Sequence, residues 1–242
     1  SLPKDPIDAF ETDIIEAHFA NLLATDDFLQ ADLNKKWISF FKEVQSKPDK
    51  YLAKNTEQFY SQWVLKRYAT ISSDGDNKLT IDTRQIPDWA YQNGFITNMV
   101  LKTAVKEGEA ISKATLNGEP IPAALIDEGY AMMYLPPMEA GVHAFEMETG
   151  TEWQNAMVLH DGTYNVYRMN QAEDAWHYDM RVYGTQEIKI HFAEIPVEIS
   201  SSNPNLSVQS WRYEAENALL HVNLSARDFQ GESGIITVKR AQ

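Results

Sequence analysis

Trp176-His177-Tyr178-Asp179-Met180-Arg181-Val182-Tyr183 carries the pattern from which the architecture follows. Trp176, Tyr178, Met180 and Val182 alternate with His177, Asp179, Arg181 and Tyr183. Successive side chains of an extended chain point to opposite faces, so this stretch has one apolar and one polar side. It predicts a half-buried strand. After Gly184-Thr185, Ile188, Ile190 and Phe192 alternate with Lys189 and His191, and the two stretches together predict a hairpin.

The same period of two spreads outward in both directions. Downstream it marks residues 196–200, 206–214, 218–224 and 234–239, with Leu220, Val222 and Leu224 facing in and His221 and Asn223 facing out. Upstream it marks 163–169, 156–159, 141–147, 130–135, 110–116 and 95–105. Residues 68–71 and 78–81 flank a Ser72-Ser73-Asp74-Gly75-Asp76-Asn77 turn. Asn117-Gly118 is a strong hairpin signal, because both central positions of a type I′ turn need positive φ and these two residues tolerate it. The template yields about thirteen or fourteen strands, too many for one seven-strand sandwich. The expected fold is mainly β with an N-terminal α-helical segment, its antiparallel strands forming two immunoglobulin-like or jelly-roll sandwiches over residues 69–150 and 151–242.

Residues 1–68 follow a different period. Ile7, Phe10, Ile14, His18 and Leu22 recur at three- and four-residue spacing behind Asp5-Pro6, a plausible cap and first helical position. A second helix is predicted through Phe28, Leu33, Trp37, Phe40, Phe41 and Val44, begun by Thr25-Asp26-Asp27 and stopped before Lys47-Pro48. A third begins at Asn55-Thr56 and carries Phe59, Tyr60, Trp63 and Val64.

Composition excludes several functions. The net charge of −14 repels phosphate, and the scattered Lys and Arg form no basic stripe, so no nucleic-acid partner is expected. With no apolar run near the ~18 residues of a membrane helix, no membrane span is expected either. The absence of cysteine removes disulfide scaffolds, thiolate zinc sites and cysteine nucleophiles together.

Lys113-Ala114-Thr115-Leu116-Asn117-Gly118-Glu119-Pro120-Ile121-Pro122, followed by residues 134–147 with Pro137 and Gly141-Val142-His143, resembles bacterial immunoglobulin-like modules. Such modules attach to secreted glycoside hydrolases and polysaccharide deacetylases. Phe59-Tyr60-Ser61-Gln62-Trp63-Val64-Leu65-Lys66-Arg67-Tyr68, running into a strand, resembles the tail of secreted polysaccharide deacetylases. These resemblances imply a noncatalytic accessory region of a polysaccharide-processing protein in an extracellular or periplasmic setting. The implied partners are a polysaccharide or oligosaccharide, and a catalytic domain or protein partner. The Asp and His pairs that hold the deacetylase metal find no counterpart here, so the activity does not transfer.

Trp153, Tyr164, Tyr167, Trp176 and Tyr178 crowd the second β region, with Asp179 and Arg181 beside them. Aromatic faces stack on the apolar side of a pyranose while polar neighbours take its hydroxyls, so Trp153, Tyr164, Trp176, Tyr178, Asp179 and Arg181 are the expected glycan contacts. The competing expectation is that these rings simply fill the interior, where large aromatics usually go. Trp89 and Tyr91 lie in loop-like sequence and either reach solvent or plug a junction.

No catalytic residue, metal ligand or cofactor is assigned. The six histidines include no i, i+4 pair, although His177 and His191 would approach each other across the predicted hairpin. Asp74-Gly75-Asp76-Asn77 lacks the distal Glu of a calcium loop, and no nucleophile elbow, phosphate loop or dinucleotide fingerprint occurs. Two rival functions remain. One is a polysaccharide lyase or hydrolase with a cleft between helices and sandwich, needing Tyr178, His177 and Arg181 in mutual reach. The other is an assembly protein docking through its aromatic helices, which predicts an exposed apolar patch within residues 28–65.

Overall fold

In the computed structural model the described residues are 24, 26–47, 53, 55–75, 77–126, 129–160, 162, 164–228 and 230–240. The helix expected from Pro6 to Leu22 lies outside them. Both later helices begin where a side-chain oxygen replaces a missing backbone acceptor. Asp26 caps Asp27–Gln45 by accepting from the Leu29 amide at 2.8 Å. Asn55 caps Thr56–Tyr68 by accepting from the Gln58 amide at 2.8 Å. Residues 1–52 and 53–242 form two separate compact units. The first contains Asp27–Gln45, and the second contains Thr56–Tyr68 and every described strand.

The described strands form three sheets. The five-stranded sheet runs in the order β1 (Thr70–Gly75), β2 (Lys78–Asp82), β8 (Val142–Gly150), β4 (Ala110–Leu116), β5 (Glu119–Pro120). The four-stranded sheet is β10 (Tyr164–Gln171), β11 (Ala175–Val182), β16 (Glu232–Arg240), β13 (Pro196–Ser201). The seven-stranded sheet is β14 (Leu206–Glu214), β15 (Leu219–Ala226), β12 (Thr185–His191), β9 (Val158–His160), β6 (Ala123–Ile126), β7 (Tyr130–Leu135), β3 (Met99–Ala104). Pairing is antiparallel except between β6 and β9. The chain is therefore mainly β, of the sandwich class, with helix at its N-terminal side.

Two contacts cross the expected boundaries, and one expectation changes. Val64 and Leu65 of the helix Thr56–Tyr68 are buried in one cluster with Ile81, Met99, Ile111 and Met133. Strand β9 pairs with β6 from the segment before residue 150 and with β12 from the segment after it. Finally, β11 and β12 are not a hairpin. The first pairs with β10 and β16, the second with β15 and β9. Gly184, at φ +66°, turns the chain from one sheet to another, and Val182 and Ile188 are both buried. Period two fixes which side chains go inward. It does not fix whether the next strand lies beside or across.

Turn chemistry behaves as expected. Asn117 and Gly118 take φ of 54° and 83° between β4 and β5, and the Asn117 side chain accepts from the Ala144 amide at 2.9 Å. At the far edge of the seven-stranded sheet, β3 offers backbone groups with no strand beside them. The Gln62 amide covers two of these, donating to the Val100 carbonyl at 2.6 Å and accepting from the Val100 N–H at 2.9 Å. One side chain thus mimics a strand and docks the helix onto the sheet.

Candidate functional site

The expected glycan contacts do not assemble. Tyr164, Tyr178 and Trp176 are 0, 1 and 7% exposed, so none offers a ring face to a sugar. The Tyr178 hydroxyl donates to the Ala156 carbonyl at 2.9 Å, and that of Tyr164 donates to the His160 carbonyl. These three rings fill the interior, as the competing expectation held. Trp153 is half-buried and stacks on His191 with ring centroids 4.2 Å apart and planes at 13°. Asp179 and Arg181 sit on the opposite side of β11 from Trp176 and Tyr178, and both are half-buried. Strand alternation puts Trp176 and Tyr178 on one face of β11 and Asp179 and Arg181 on the other.

It separates the lyase-like trio as well. His177 Nδ1 lies 3.0 Å from the Thr237 hydroxyl on the outer side of β11, while Tyr178 points inward. His177 and His191, on strands in different sheets, do not form the pair expected of a hairpin.

Arg181 instead joins a polar cluster at the start of the helix Thr56–Tyr68. A guanidinium nitrogen stands 3.7 Å from the Glu57 carboxylate, and another donates to the Gln230 carbonyl at 3.0 Å. The Tyr167 hydroxyl donates to Glu57 at 3.4 Å, and the Asn55 amide donates to the Tyr183 hydroxyl at 2.6 Å. Burial, and then the negative charge of Glu57, push the Tyr167 phenol well above its ordinary pKa. Burial raises that of Tyr183 too. A phenol serving as a base must give up its proton readily, and these two are held the other way. The cluster's chemistry is that of a clamp between helix and sheet.

His191 is 9% exposed, and among the described residues neither ring nitrogen has a hydrogen-bond partner. Burial first, and the neighbouring His160 second, bring its pKa down to about 4. Among the described residues no three His, Asp or Glu side chains converge as metal ligands would.

Exposed aromatic surface occurs elsewhere. Tyr60 on the helix Thr56–Tyr68 and Trp89 on the short helix Asp88–Gln92 are each 38% exposed. Phe95 lies between them, stacked on Tyr60 at 5.2 Å and meeting Trp89 edge-on at 6.0 Å. Trp63 and Tyr68 support Trp89 from the helix, at 6.5 and 6.3 Å. Arg67 extends over the Tyr68 ring at 6.0 Å.

The backbone holding these rings is fixed. The Tyr91 hydroxyl donates to the Thr83 carbonyl at 3.1 Å, the Phe95 amide to the Ala90 carbonyl at 2.9 Å, and the Asn93 side chain to the Trp89 carbonyl at 2.7 Å. Ala90 and Ile96 are buried beneath. The result is a row of partly exposed rings on a rigid base with polar neighbours. The sequence points to Trp89 and Tyr91 as loop residues between Pro87 and Gly94, and to Tyr60 within the aromatic helices of residues 28–65. Phe95 reads only as strand, and the meeting of Tyr60 with Phe95 depends on tertiary contact.

No family model matches the chain, and neither a curated protein nor a solved structure matches it.

Proposed function

We propose that residues 53–242 act as a noncatalytic, glycan-contacting accessory region of a polysaccharide-processing protein working outside the cytoplasm, with Tyr60 and Trp89 as its principal contacts. The observation carrying this reading is the exposure of these two rings on a braced aromatic face. An exposed indole or phenol ring offers the apolar C–H face of a sugar the surface it would otherwise present to water. Polar neighbours lie beside the rings: the Asn93 side chain donates to the Trp89 carbonyl, and Arg67 lies over Tyr68, which meets Trp89. The composition, and the resemblance of residues 113–122 and 134–147 to immunoglobulin-like modules, support the same reading. The test is tryptophan fluorescence titration with soluble oligosaccharides of varied composition, on the wild type and on Trp89→Ala. A saturable response lost in the variant supports the reading, and silence across the whole panel rejects it.

One observation favours a second reading, docking of a protein partner. Leu29, Ile38 and Phe41 are exposed on the helix Asp27–Gln45, within the stretch where an apolar patch was expected. Under this reading, Ile38→Asp and Phe41→Asp lower self-association or partner capture measured by light scattering, while glycan response stays unchanged.

A further inference from the structure

The mutual tilt of the exposed rings goes beyond glycan contact to the class of glycan, and rests on the reading above. Tyr60 lies within 26° of the plane of Phe95, and Trp89 stands at 76° to that same plane. The planes of Tyr60 and Trp89 therefore differ by at least 50°. Their centroids lie 5.2 and 6.0 Å from that of Phe95, which bounds their separation at about 11 Å. The two rings are close enough for one short oligosaccharide and too steeply inclined for one flat surface.

We infer that this face takes a single, twisted glycan chain in solution, gripped on differently oriented sugar faces by Tyr60 and Trp89, rather than the flat face of a crystalline polysaccharide. A crystalline polymer presents parallel sugar rings in one plane, and stacking requires each protein ring to lie nearly parallel to that plane. With at least 50° between them, only one of the two can do so at a time. A free chain rotates from one sugar to the next and so meets both.

The rings are not free to flatten onto a common plane. Tyr60 is backed by Phe95 and by Phe59 at 5.6 Å, and Trp89 is held among Trp63, Tyr68 and Phe95. Rotating either ring would break these contacts together, so the tilt is built into the packing of the helix Thr56–Tyr68 against the segment of Trp89 and Phe95. A rigid, pre-inclined pair also binds a flexible chain at lower ordering cost than mobile rings would.

The test compares two formats with the same protein. Soluble oligosaccharides from disaccharide to hexasaccharide are titrated by calorimetry, and retention on crystalline cellulose and crystalline chitin is measured by sedimentation. Variants are Trp89→Ala and Tyr60→Ala, with Trp89→Phe and Tyr60→Phe as controls that keep a ring, and circular dichroism confirming the fold of each. The inference predicts affinity for soluble chains that rises with length. Each alanine variant should weaken it by about tenfold, each phenylalanine variant by less, and retention on either crystalline polymer should be absent.

Retention on crystalline polymer that Trp89→Ala abolishes overturns the inference and leaves the glycan reading standing. Binding of soluble chains that ignores Tyr60→Ala also overturns the two-ring grip. Absence of binding in both formats rejects the glycan reading and the inference with it.

Discussion

Asn55 does two jobs with one side chain, and each can be removed separately. Its oxygen caps the helix Thr56–Tyr68 and its amide donates to Tyr183. Replacing an Asn cap with Ala costs about 1 kcal/mol, and a lost side-chain hydrogen bond costs a similar amount. Asn55→Ala is therefore expected to destabilise by about 2 kcal/mol in chemical denaturation, and Tyr183→Phe by about 1 kcal/mol. The double variant should fall short of the sum, since both lose the same bond. His191 gives the second prediction at this scale. Its folded pKa, about 4, lies below the ordinary value near 6.5. The unfolded chain thus takes up a proton that the folded chain refuses. Stability is unaffected by this group above pH ~6.5, falls as pH drops toward 4, and levels off below. Denaturation midpoints of wild type and His191→Phe across that window should diverge, with the wild type alone showing the His191 share of the slope. Parallel curves would show that His191 does not resist protonation.

Elements were legible in the sequence where a cap or a turn residue fixed them locally. The boundaries of β4, β7 and β14 coincide with the alternating runs, and the starts at Asp26 and Asn55 follow from their side-chain oxygens. Residues 95–105 carry enough apolar side chains to suggest one long strand, yet the strand begins only at Met99, because the chain is still turning through residues 93–98, where the Thr97 hydroxyl donates to the Gly94 carbonyl at 2.8 Å. Partnership was not legible. Whether β12 lies beside β11 or across from it depends on the direction the chain leaves Gly184, and both arrangements bury the same alternate residues. The candidate site was hidden for the same reason. Tyr60 comes from one segment and Trp89 with Phe95 from another, and only tertiary packing joins the two, whereas the aromatic residues at 176–178 are interior. Gln62 tests the docking of helix on sheet. Gln62→Ala leaves the Val100 amide and carbonyl without these partners. It should cost about 1–2 kcal/mol and raise hydrogen exchange at the Val100 amide. Unchanged protection would mean that the side chain does not seal the edge.

At the scale of the whole molecule, continuity of the seven-stranded sheet across residue 150 makes a prediction that two independent sandwiches would not. Strands β6 and β7 on one side, and β12 and β15 on the other, share one ladder through β9. Hydrogen exchange under increasing denaturant should show these four strands losing protection together, because a shared core unfolds cooperatively. Two well-separated transitions, dividing near residue 150, would contradict this. Trp176 and Tyr178 are buried on β11 of the four-stranded sheet, while the helix Thr56–Tyr68 and the segment after β2 carry the exposed Tyr60 and Trp89. Function, on this account, follows from what the core could not cover. The most direct measurement is the indole N–H resonance of each tryptophan during oligosaccharide titration, assigned by single Trp→Phe variants. The Trp89 resonance should shift saturably while those of Trp153 and Trp176 stay in place. A shift at Trp176 or Trp153 with Trp89 silent would contradict the account.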